Sequence, residues 1–384
     1  MKQSHNVLLA LPLAMAFGTA LAQTASKVQA AQGWQFGAVV DVTQTSRPLA
    51  LGSRDKGLQL GHSDITASGP VGSMFKANIG AMFETHDGRL EKSIEEAWIE
   101  TTRLPAGLSV RAGRFASQIG YLNQQHTHAD DFVERPLLYR GFFGGHWNDD
   151  GLRVNWTAPT PFYLMLGVEA FRGKRLVKET AGSAPSIGAS TWVVKTGADL
   201  NRSHSWQLGL SHINNRREAA VEEHDDDHSA EGGHDHAHSH GAQFSGRKTW
   251  LVDATWKWAP GGNNRDSQVR LGFEAARTTD LNRFATSRDK HESNAITAVW
   301  RFRPEWEIGA RADWLRARMP HGDHFHSALL RERALMLAWK PSHMQSLRLQ
   351  YTAQRDAVAF ENPAKRSVQL QYVLAFGAHG AHAF

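Results

Sequence analysis

Histidine is the residue type that offers the most chemistry in this sequence. The chain has 384 residues and 21 His, and six of these His lie among carboxylates in the segment 224–240. The candidate ligands in this segment are His224, Asp226, His228, His234, Asp235, His236, His238 and His240. Neutral imidazoles and carboxylates together bind Zn²⁺, Cu²⁺, Ni²⁺ or Co²⁺. Because Gly232 and Gly233 interrupt the run, we expect a flexible collector with overlapping sites. The alternative is a solvated loop that binds metal only as a histidine tag does.

A second group of His lies in the segment 117–150. His126, His128 and His146 occur there among acidic residues, and together they could form a weak cation site. Ordinary polar packing of the loop is the alternative. The chain has no Cys, which excludes disulfides, thiolate zinc sites and thiol catalysis. No spacing of Ser, His and Asp singles out a nucleophile, so we expect no enzymatic activity and no required cofactor.

The first 22 residues have the pattern of a secretory signal peptide. Lys2 precedes an apolar run at 7–17, and Ala20-Leu21-Ala22 supplies the small residues before a cleavage site. An uncleaved anchor is the alternative, but the run is short for a membrane span. We expect Sec-type export, a short periplasmic extension at 23–33, and one domain at 34–384. Beyond the N-terminus no apolar run approaches the roughly 18 residues of a membrane helix, which excludes an α-helical membrane protein.

The rest of the chain alternates between apolar and polar residues over segments of roughly 10 to 13 residues, as strands that cross a bilayer at a tilt do. In the segment 249–258, Trp250 and Val252 fall on one face, and Asp253 and Lys257 fall on the other. A soluble β-sandwich also alternates, but its packed core could not hold unpaired charges strand after strand. The pattern therefore predicts an all-β protein, a transmembrane antiparallel β-barrel with a water-filled lumen.

Sixteen segments of this kind can be counted. They start near residues 34, 56, 74, 91, 107, 151, 162, 190, 204, 247, 266, 292, 305, 326, 344 and 364, and the segments at 56 and 91 alternate poorly. Every second connection is short, whereas the intervening ones include the long connections 117–150, 173–189, 216–246, 279–291 and 355–363. Transmembrane barrels have short periplasmic turns and long external loops. The sequence thus predicts about sixteen strands, with the His-rich segment in an external loop at 216–246.

Charged residues on the polar faces of these strands predict what lines the lumen. The candidates are Lys76, Arg111, Arg153, Lys195, Asp253, Lys257, Arg270, Glu274, Arg311, Asp313 and Arg348. Opposed charges across a pore create a transverse field that admits small polar solutes without strong selectivity for one ion sign. The chain carries a net charge of +5. These basic residues suit contact with lipopolysaccharide phosphates or a pore that attracts anions. Because they are dispersed among the strands, they do not indicate binding to nucleic acid.

The mature chain resembles Gram-negative outer-membrane porins over essentially its whole length. Aromatic residues such as Trp34, Trp258 and Trp339 cluster at one rim of the predicted barrel, and the chain ends in Phe384. The segment 110–115 (VRAGRF), followed by 117–150, is similar to porins related to the phosphate-selective group. That group's phosphate-binding residues cannot be matched one by one, so phosphate selectivity is not implied.

The resemblance implies a third external loop, 117–150, that folds into the lumen and narrows it. It also implies a homotrimer embedded in the outer-membrane bilayer, and recognition of Phe384 by the outer-membrane assembly machinery. The leading functional hypothesis is a passive diffusion channel for small polar solutes or ions whose surface His/Asp-rich loop collects a divalent transition metal, with zinc the preferred candidate. The alternative is a general or anion-preferring porin on which that loop is incidental.

Two other classes of barrel protein fit less well. A TonB-dependent transporter needs about 22 strands and a plug domain, which is far more chain than is present here. A barrel enzyme needs a nucleophile or acid cluster at its outer rim, and the sequence singles out none.

Overall fold

The structure is a computed structural model, and it describes residues 33–177, 186–217, 242–321, 324–360 and 364–377. Within these residues, 17 strands form one antiparallel sheet in which the first strand pairs with the last. The second and third strands both pair with the first one, so they are two halves of a single barrel strand. The result is a closed barrel of sixteen strands, and this part of the prediction is confirmed.

The strands are β1 (Gln35–Thr45), β2 (Gly57–Leu60), β3 (Ser63–Val71), β4 (Phe75–His86), β5 (Arg89–Thr101), β6 (Leu108–Ala116), β7 (Asn148–Thr157), β8 (Tyr163–Phe171), β9 (Ala189–Asn201), β10 (His204–Asn215), β11 (Lys248–Trp258), β12 (Gln268–Thr279), β13 (His291–Arg303), β14 (Trp306–His321), β15 (His324–Ser342), β16 (Gln345–Arg355) and β17 (Arg366–Gly377). One α-helix, α1 (Leu137–Phe143), lies between β6 and β7, and short 3₁₀ turns occur at several connections. None of the helices in the described residues could span a membrane.

The two segments with poor alternation contain irregular backbone. The barrel strand near residue 56 is interrupted at Gly61 and His62, between β2 and β3. The pairing of β4 with β5 shifts at Gly80 and Ala81, and it passes over Glu95. A β-bulge adds a residue to one strand and turns the following side chains to the other face. The period-two pattern therefore fails at these places although the strands exist.

The distribution of exposed side chains is inverted relative to that of a soluble protein. Phe36 and Leu58 are each 63% exposed, whereas Asp41 and Glu307 are fully buried. Soluble proteins bury their large apolar residues and expose their charges. The sheet thus has an apolar outer face and a polar inner face, as the alternation predicts.

The segment between β6 and β7 is the longest described connection. The pairing of β6 with β7 continues to the pair Ala116 and Asn148, so the connection lies between these two residues. The connection is therefore 117–147, slightly shorter than the predicted 117–150. At Gly113, within the segment 110–115, φ is +121° and a Cβ would lie 2.2 Å from the carbonyl oxygen of Ala97. Only glycine fits there without displacement of the backbone.

Several predicted features lie outside the described residues. These are the signal peptide 1–22, almost all of the 23–33 extension, the candidate ligands between His224 and His240, and the terminal Phe384. They remain predictions from the sequence.

Candidate functional site

The eleven charged residues predicted to line the lumen lie on strands of the closed sheet. Seven of them are buried, namely Arg153, Lys195, Asp253, Glu274, Arg311, Asp313 and Arg348. Arg111, Lys257 and Arg270 are half-buried, and Lys76 is exposed. Charged residues are rarely buried unless they are paired, so their partners decide whether this face is stable.

Ion pairs compensate most of these charges. Lys76 and Arg111 both contact Glu100, at 2.7 and 2.6 Å. Other pairs on this face are Arg153 with Glu169 at 2.7 Å, Arg270 with Asp131 at 2.5 Å, and Arg311 with Asp313 at 2.9 Å. The interior therefore presents both signs of charge in close alternation.

The 117–147 segment packs an apolar surface against the sheet. Leu137, Leu138 and Tyr139 of α1 are fully buried, and they belong to the largest cluster of buried apolar residues in the described structure. The strands supply these apolar residues to the same cluster: Phe171, Val193, Ile213, Leu251, Leu315 and Leu330. Burial of these side chains stabilises the segment against the wall by about 25 cal/mol for each Å² of apolar surface removed from water.

Polar contacts connect the same segment to strands far apart in the sheet. Gln118 exchanges hydrogen bonds with the Asn155 side chain of β7, at 2.9 and 3.0 Å. On other strands, the Tyr139 hydroxyl donates to Glu274 of β12, and the Val133 N–H donates to Gln350 Oε1 of β16 at 2.7 Å. The segment thus contacts the polar faces of strands on several sides of the closed sheet.

Two polar cavities adjoin this segment. One has a volume of about 720 Å³ and is lined by Gln118, Arg153 and Lys195 among others. The other has a volume of about 580 Å³ and is lined by residues that include Lys76 and His126. Arg111 and Gln124 line both cavities. A polar space of this size holds many waters, so hydrated solutes can be accommodated beside the segment.

Four potential metal ligands converge beside the second cavity. His62 and Asp64 come from the junction of β2 and β3, whereas His126 precedes the 3₁₀ turn Thr127–Ala129 and His128 lies within it. One ligand atom from each of the four residues lies within 4.8 Å of the others. The imidazole rings of His126 and His128 stack with their centroids 5.4 Å apart.

Glu95 lies next to this cluster on the bulged part of β5. Its carboxylate is 3.0 Å from His62 Nε2, 3.3 Å from His126 Nδ1 and 2.9 Å from His146 Nδ1. Burial lowers the pKa of His126, but the nearby carboxylates, chiefly Glu95, outweigh it and raise this pKa to about 10. Burial lowers the pKa of His146 to about 4 in spite of its hydrogen bond with Glu95. The carboxylates beside the cluster therefore favour positive charge on His126, whereas His146 stays neutral.

The structure brings together some of the residues predicted for this site and adds others. Of the three His predicted in 117–150, His126 and His128 come together, while His146 lies beside them, with its ring centroid 6.4 Å from that of His126 and its Nδ1 2.9 Å from Glu95. The contributions of His62, Asp64 and Glu95 were missed. The sequence feature that could have indicated these residues is the loss of alternation in the segments near 56 and 91. Loss of alternation can reflect a β-bulge, and a bulge often redirects a functional side chain.

The closed sixteen-stranded sheet, its apolar exterior and its charged interior define a porin-type β-barrel. No protein-family model matches the chain. A relative from Aquifex aeolicus (strain VF5), described as an uncharacterized protein, is 27% identical over an alignment of 361 residues, and the match covers 86% of this chain and 70% of the relative.

Solved structures share this fold at low sequence identity. OprB of Pseudomonas putida in its high-pH structure is 13% identical with a TM-score of 0.56, and the match covers 90% of this chain and 94% of OprB. The anion-selective porin from Comamonas acidovorans is 12% identical with a TM-score of 0.53, covering 90% and 99% of the two chains. The outer membrane channel DcaP of Acinetobacter baumannii is 12% identical with a TM-score of 0.51, covering 90% and 96%. These structural neighbours are outer-membrane porins and channels, and at this identity they show a shared fold.

Proposed function

We propose that the protein is an outer-membrane porin of a Gram-negative bacterium, through which small polar solutes or ions diffuse passively. The observation that carries this proposal is the inverted barrel, with apolar side chains such as Phe36 and Leu335 exposed outside and charges such as Glu307 buried inside. An exterior of this kind suits lipid, and an interior of this kind suits water. The porin folds of the structural neighbours support the same assignment.

The 117–147 segment is proposed to fold into the lumen and narrow it. Its support is the set of contacts with side chains on widely separated strands, from Asn155 on β7 to Gln350 on β16. A segment that remained outside the barrel could not reach both. Solutes would then pass through the polar spaces beside it, where Arg111 and Arg153 face Glu100 and Asp199.

The mixture of charges beside the segment favours weak selectivity. Opposed charges order water across the passage and disfavour apolar solutes, and neither sign of ion is excluded. The alternative is a general or anion-preferring porin on which the His-rich loop is incidental, and the lining of the larger cavity by Arg111, Arg153 and Lys195 supports its anion-preferring form. Reversal potentials in a salt gradient separate weak selectivity from a preference for anions.

The His-rich external loop 216–246 is proposed to collect divalent transition metal, with zinc preferred over Cu²⁺, Ni²⁺ and Co²⁺. The support is its composition, because six imidazoles and several carboxylates between residues 222 and 240 offer many overlapping ligand sets. Loose binding at the cell surface would raise the local concentration of the ion at the pore mouth and thereby increase passive flux.

The proposed setting includes the lipid bilayer, lipopolysaccharide and two further copies of the chain in a homotrimer. Export through a cleaved signal peptide and recognition of Phe384 by the outer-membrane assembly machinery complete the proposal. Native electrophoresis of the folded protein with and without heating reports the trimer directly. A single species at the monomer mass before heating would contradict it.

Planar-bilayer recording tests the central proposal. The full mature chain, refolded in detergent and added to a lipid bilayer, should produce discrete conductance steps that persist without any energy source. The same protein unfolded by heat serves as the control and should produce none. A folded barrel that inserts but never conducts ions would overturn the porin assignment.

A further inference from the structure

We propose that His62, Asp64, His126 and His128 form a binding site for a single Zn²⁺ ion that joins the 117–147 segment to the barrel wall. The site uses two of the His predicted from the sequence and adds two ligands from the junction of β2 and β3. It is separate from the His-rich external loop. It rests on the proposed function only in that the pore interior supplies the route by which the ion arrives.

The distances within the cluster suit tetrahedral zinc. Zinc binds imidazole nitrogen at about 2.0–2.1 Å, so two ligands of a tetrahedral site lie about 3.4 Å apart. Asp64 Oδ2 is 3.4 Å from Nδ1 of His126 and 3.4 Å from Nδ1 of His128. Hydrogen bonds between nitrogen and oxygen are usually 2.7–3.2 Å long, so these separations are closer to a ligand spacing. All four ligand atoms lie within 4.8 Å of one another, a spread that small side-chain rotations can close.

The charges around the cluster also suit a divalent cation. Asp64 and Glu95 are both buried, and their two carboxylates balance the two positive charges of the ion. Three imidazoles and one carboxylate are ligands that zinc and similar transition metals prefer, whereas Ca²⁺ and Mg²⁺ prefer sets made of oxygen alone. Glu95 lies 3.0 Å from Nε2 of His62, and a carboxylate that accepts a hydrogen bond from one ring nitrogen orients an imidazole whose other nitrogen binds the metal.

Irregular backbone positions the residues of this site. His62 follows Gly61 at the break between β2 and β3, and Glu95 is the residue passed over in the pairing of β4 with β5. Bulges of this kind occur next to functional sites, where they redirect a side chain at the cost of regular pairing. The cavity of about 580 Å³ is lined by Asp64, His126 and His128, so an ion in the interior reaches the ligands directly.

An ion at this site would couple metal binding to the geometry of the pore. Two ligands belong to the barrel wall and two belong to the 117–147 segment, so zinc would hold these parts together. We therefore expect zinc to reduce the conformational fluctuation of the segment, which reduces the fluctuation of the open-channel current.

The test uses the full mature chain with residues 222–240 deleted, so that the external loop cannot bind metal. After treatment with a chelator, this protein is titrated with Zn²⁺ alone by calorimetry, and one ion should bind per chain. Asp64→Asn and the double variant His126→Ala, His128→Ala should each weaken binding at least tenfold, and Glu95→Gln should weaken it by about 10–100-fold. His204→Ala, a change at the start of β10, is the matched control and should bind as the parent does.

Cobalt provides a second measurement that reports geometry. Co²⁺ bound at a tetrahedral site with three imidazoles should give an intense visible absorption band, which the double variant should lose. Asp64→Asn preserves the size of the side chain, and the heat-dependent electrophoretic shift of each variant reports whether its barrel has folded. Absence of zinc binding to the folded parent, or equal binding by the folded double variant, would overturn the inference. If the folded barrel binds zinc but does not conduct ions, the porin proposal is refuted and the proposed zinc site is supported.

Discussion

A guanidinium nitrogen of Arg140 lies 2.6 Å from a carboxylate oxygen of Glu332, a residue 192 positions further along the chain. Arg311 of β14 reaches the same oxygen at 2.5 Å, and Gln354 of β16 donates to the other oxygen at 2.7 Å. All four side chains are buried. One carboxylate on β15 therefore fixes the only described α-helix to the polar face of the sheet.

Replacement of Arg140 by Met should loosen that helix. The substitution keeps most of the apolar stem but removes a hydrogen bond between charged groups, which contributes about 1.5–3 kcal/mol when buried. We expect amide hydrogens of α1 to exchange more than tenfold faster, as measured by mass spectrometry. Arg331→Met is the matched control, because Arg331 contacts Asp356 only at 3.7 Å and the two side chains are 59% and 50% exposed. Equal exchange in α1 for both variants would contradict the anchoring role of Arg140.

Removal of the 117–147 segment should widen the passage. A variant in which a short Gly-Ser linker replaces residues 119–145 retains the barrel strands but loses the buried helix and its polar contacts. We expect its single-channel conductance to rise about twofold or more in a planar bilayer. Shortening the external connection 280–290 provides the control and should leave the conductance unchanged. An unchanged conductance after deletion of 119–145 would mean that the segment does not narrow the pore.

Neutralisation of Arg111 should shift the ion preference of the channel. Arg111 lines both cavities and its guanidinium stacks 3.9 Å from the ring centroid of Trp98, which holds it in place. In Arg111→Gln, Glu100 loses one of its two basic partners, so we expect the cation-to-anion permeability ratio to increase about twofold. The reversal potential in a potassium chloride gradient measures this ratio. Arg265→Gln, in the turn before β12, should leave it unchanged.

The His-rich external loop should bind several zinc ions, and low pH should release them. Unperturbed imidazole has a pKa of about 6.5, so protons compete for the nitrogens as the pH falls from about 7 to 5. The parent protein should bind more zinc than the variant lacking 222–240 at pH 7, and the difference should disappear at pH 5. Equal stoichiometry at pH 7 would refute this role for the loop. Growth under zinc limitation that is unaffected by the deletion would favour the general-porin alternative.

Most of the barrel could be predicted from the sequence because each strand carries its own signal. A strand between lipid and water must alternate, and each predicted start lies within three residues of the observed one, as at 151 against Asn148. In the segment 249–258, Leu251 is apolar although it falls on the same face as Asp253 and Lys257. The structure gives the reason, because Leu251 is fully buried in the cluster that packs against α1. The apolar residue on the polar face of this strand thus lies where the strand contacts the 117–147 segment.

Only half of the cluster that is proposed to bind zinc could be suggested from the sequence. His126 and His128 lie close together in the sequence, so they suggest a site without knowledge of the fold. His62 and Asp64 are more than 60 residues away, and they reach the same place only through the break between β2 and β3. A single sequence does not reveal which residue a bulge redirects, because the local composition is compatible with either face.

The pairing of β1 with β17 has a consequence for how the chain folds. Nine residue pairs join these strands, from Gly37 with Gly377 to Thr45 with Gln369, and Gln371 donates to Asp41 at 2.9 Å. This ladder has a very large sequence separation, so the entropy of closing the loop must be overcome before the contacts can form. We expect closure to be slow and to come late, after the last strand is available. Until then two unpaired strand edges face outward, and they would pair with other chains unless a chaperone covers them.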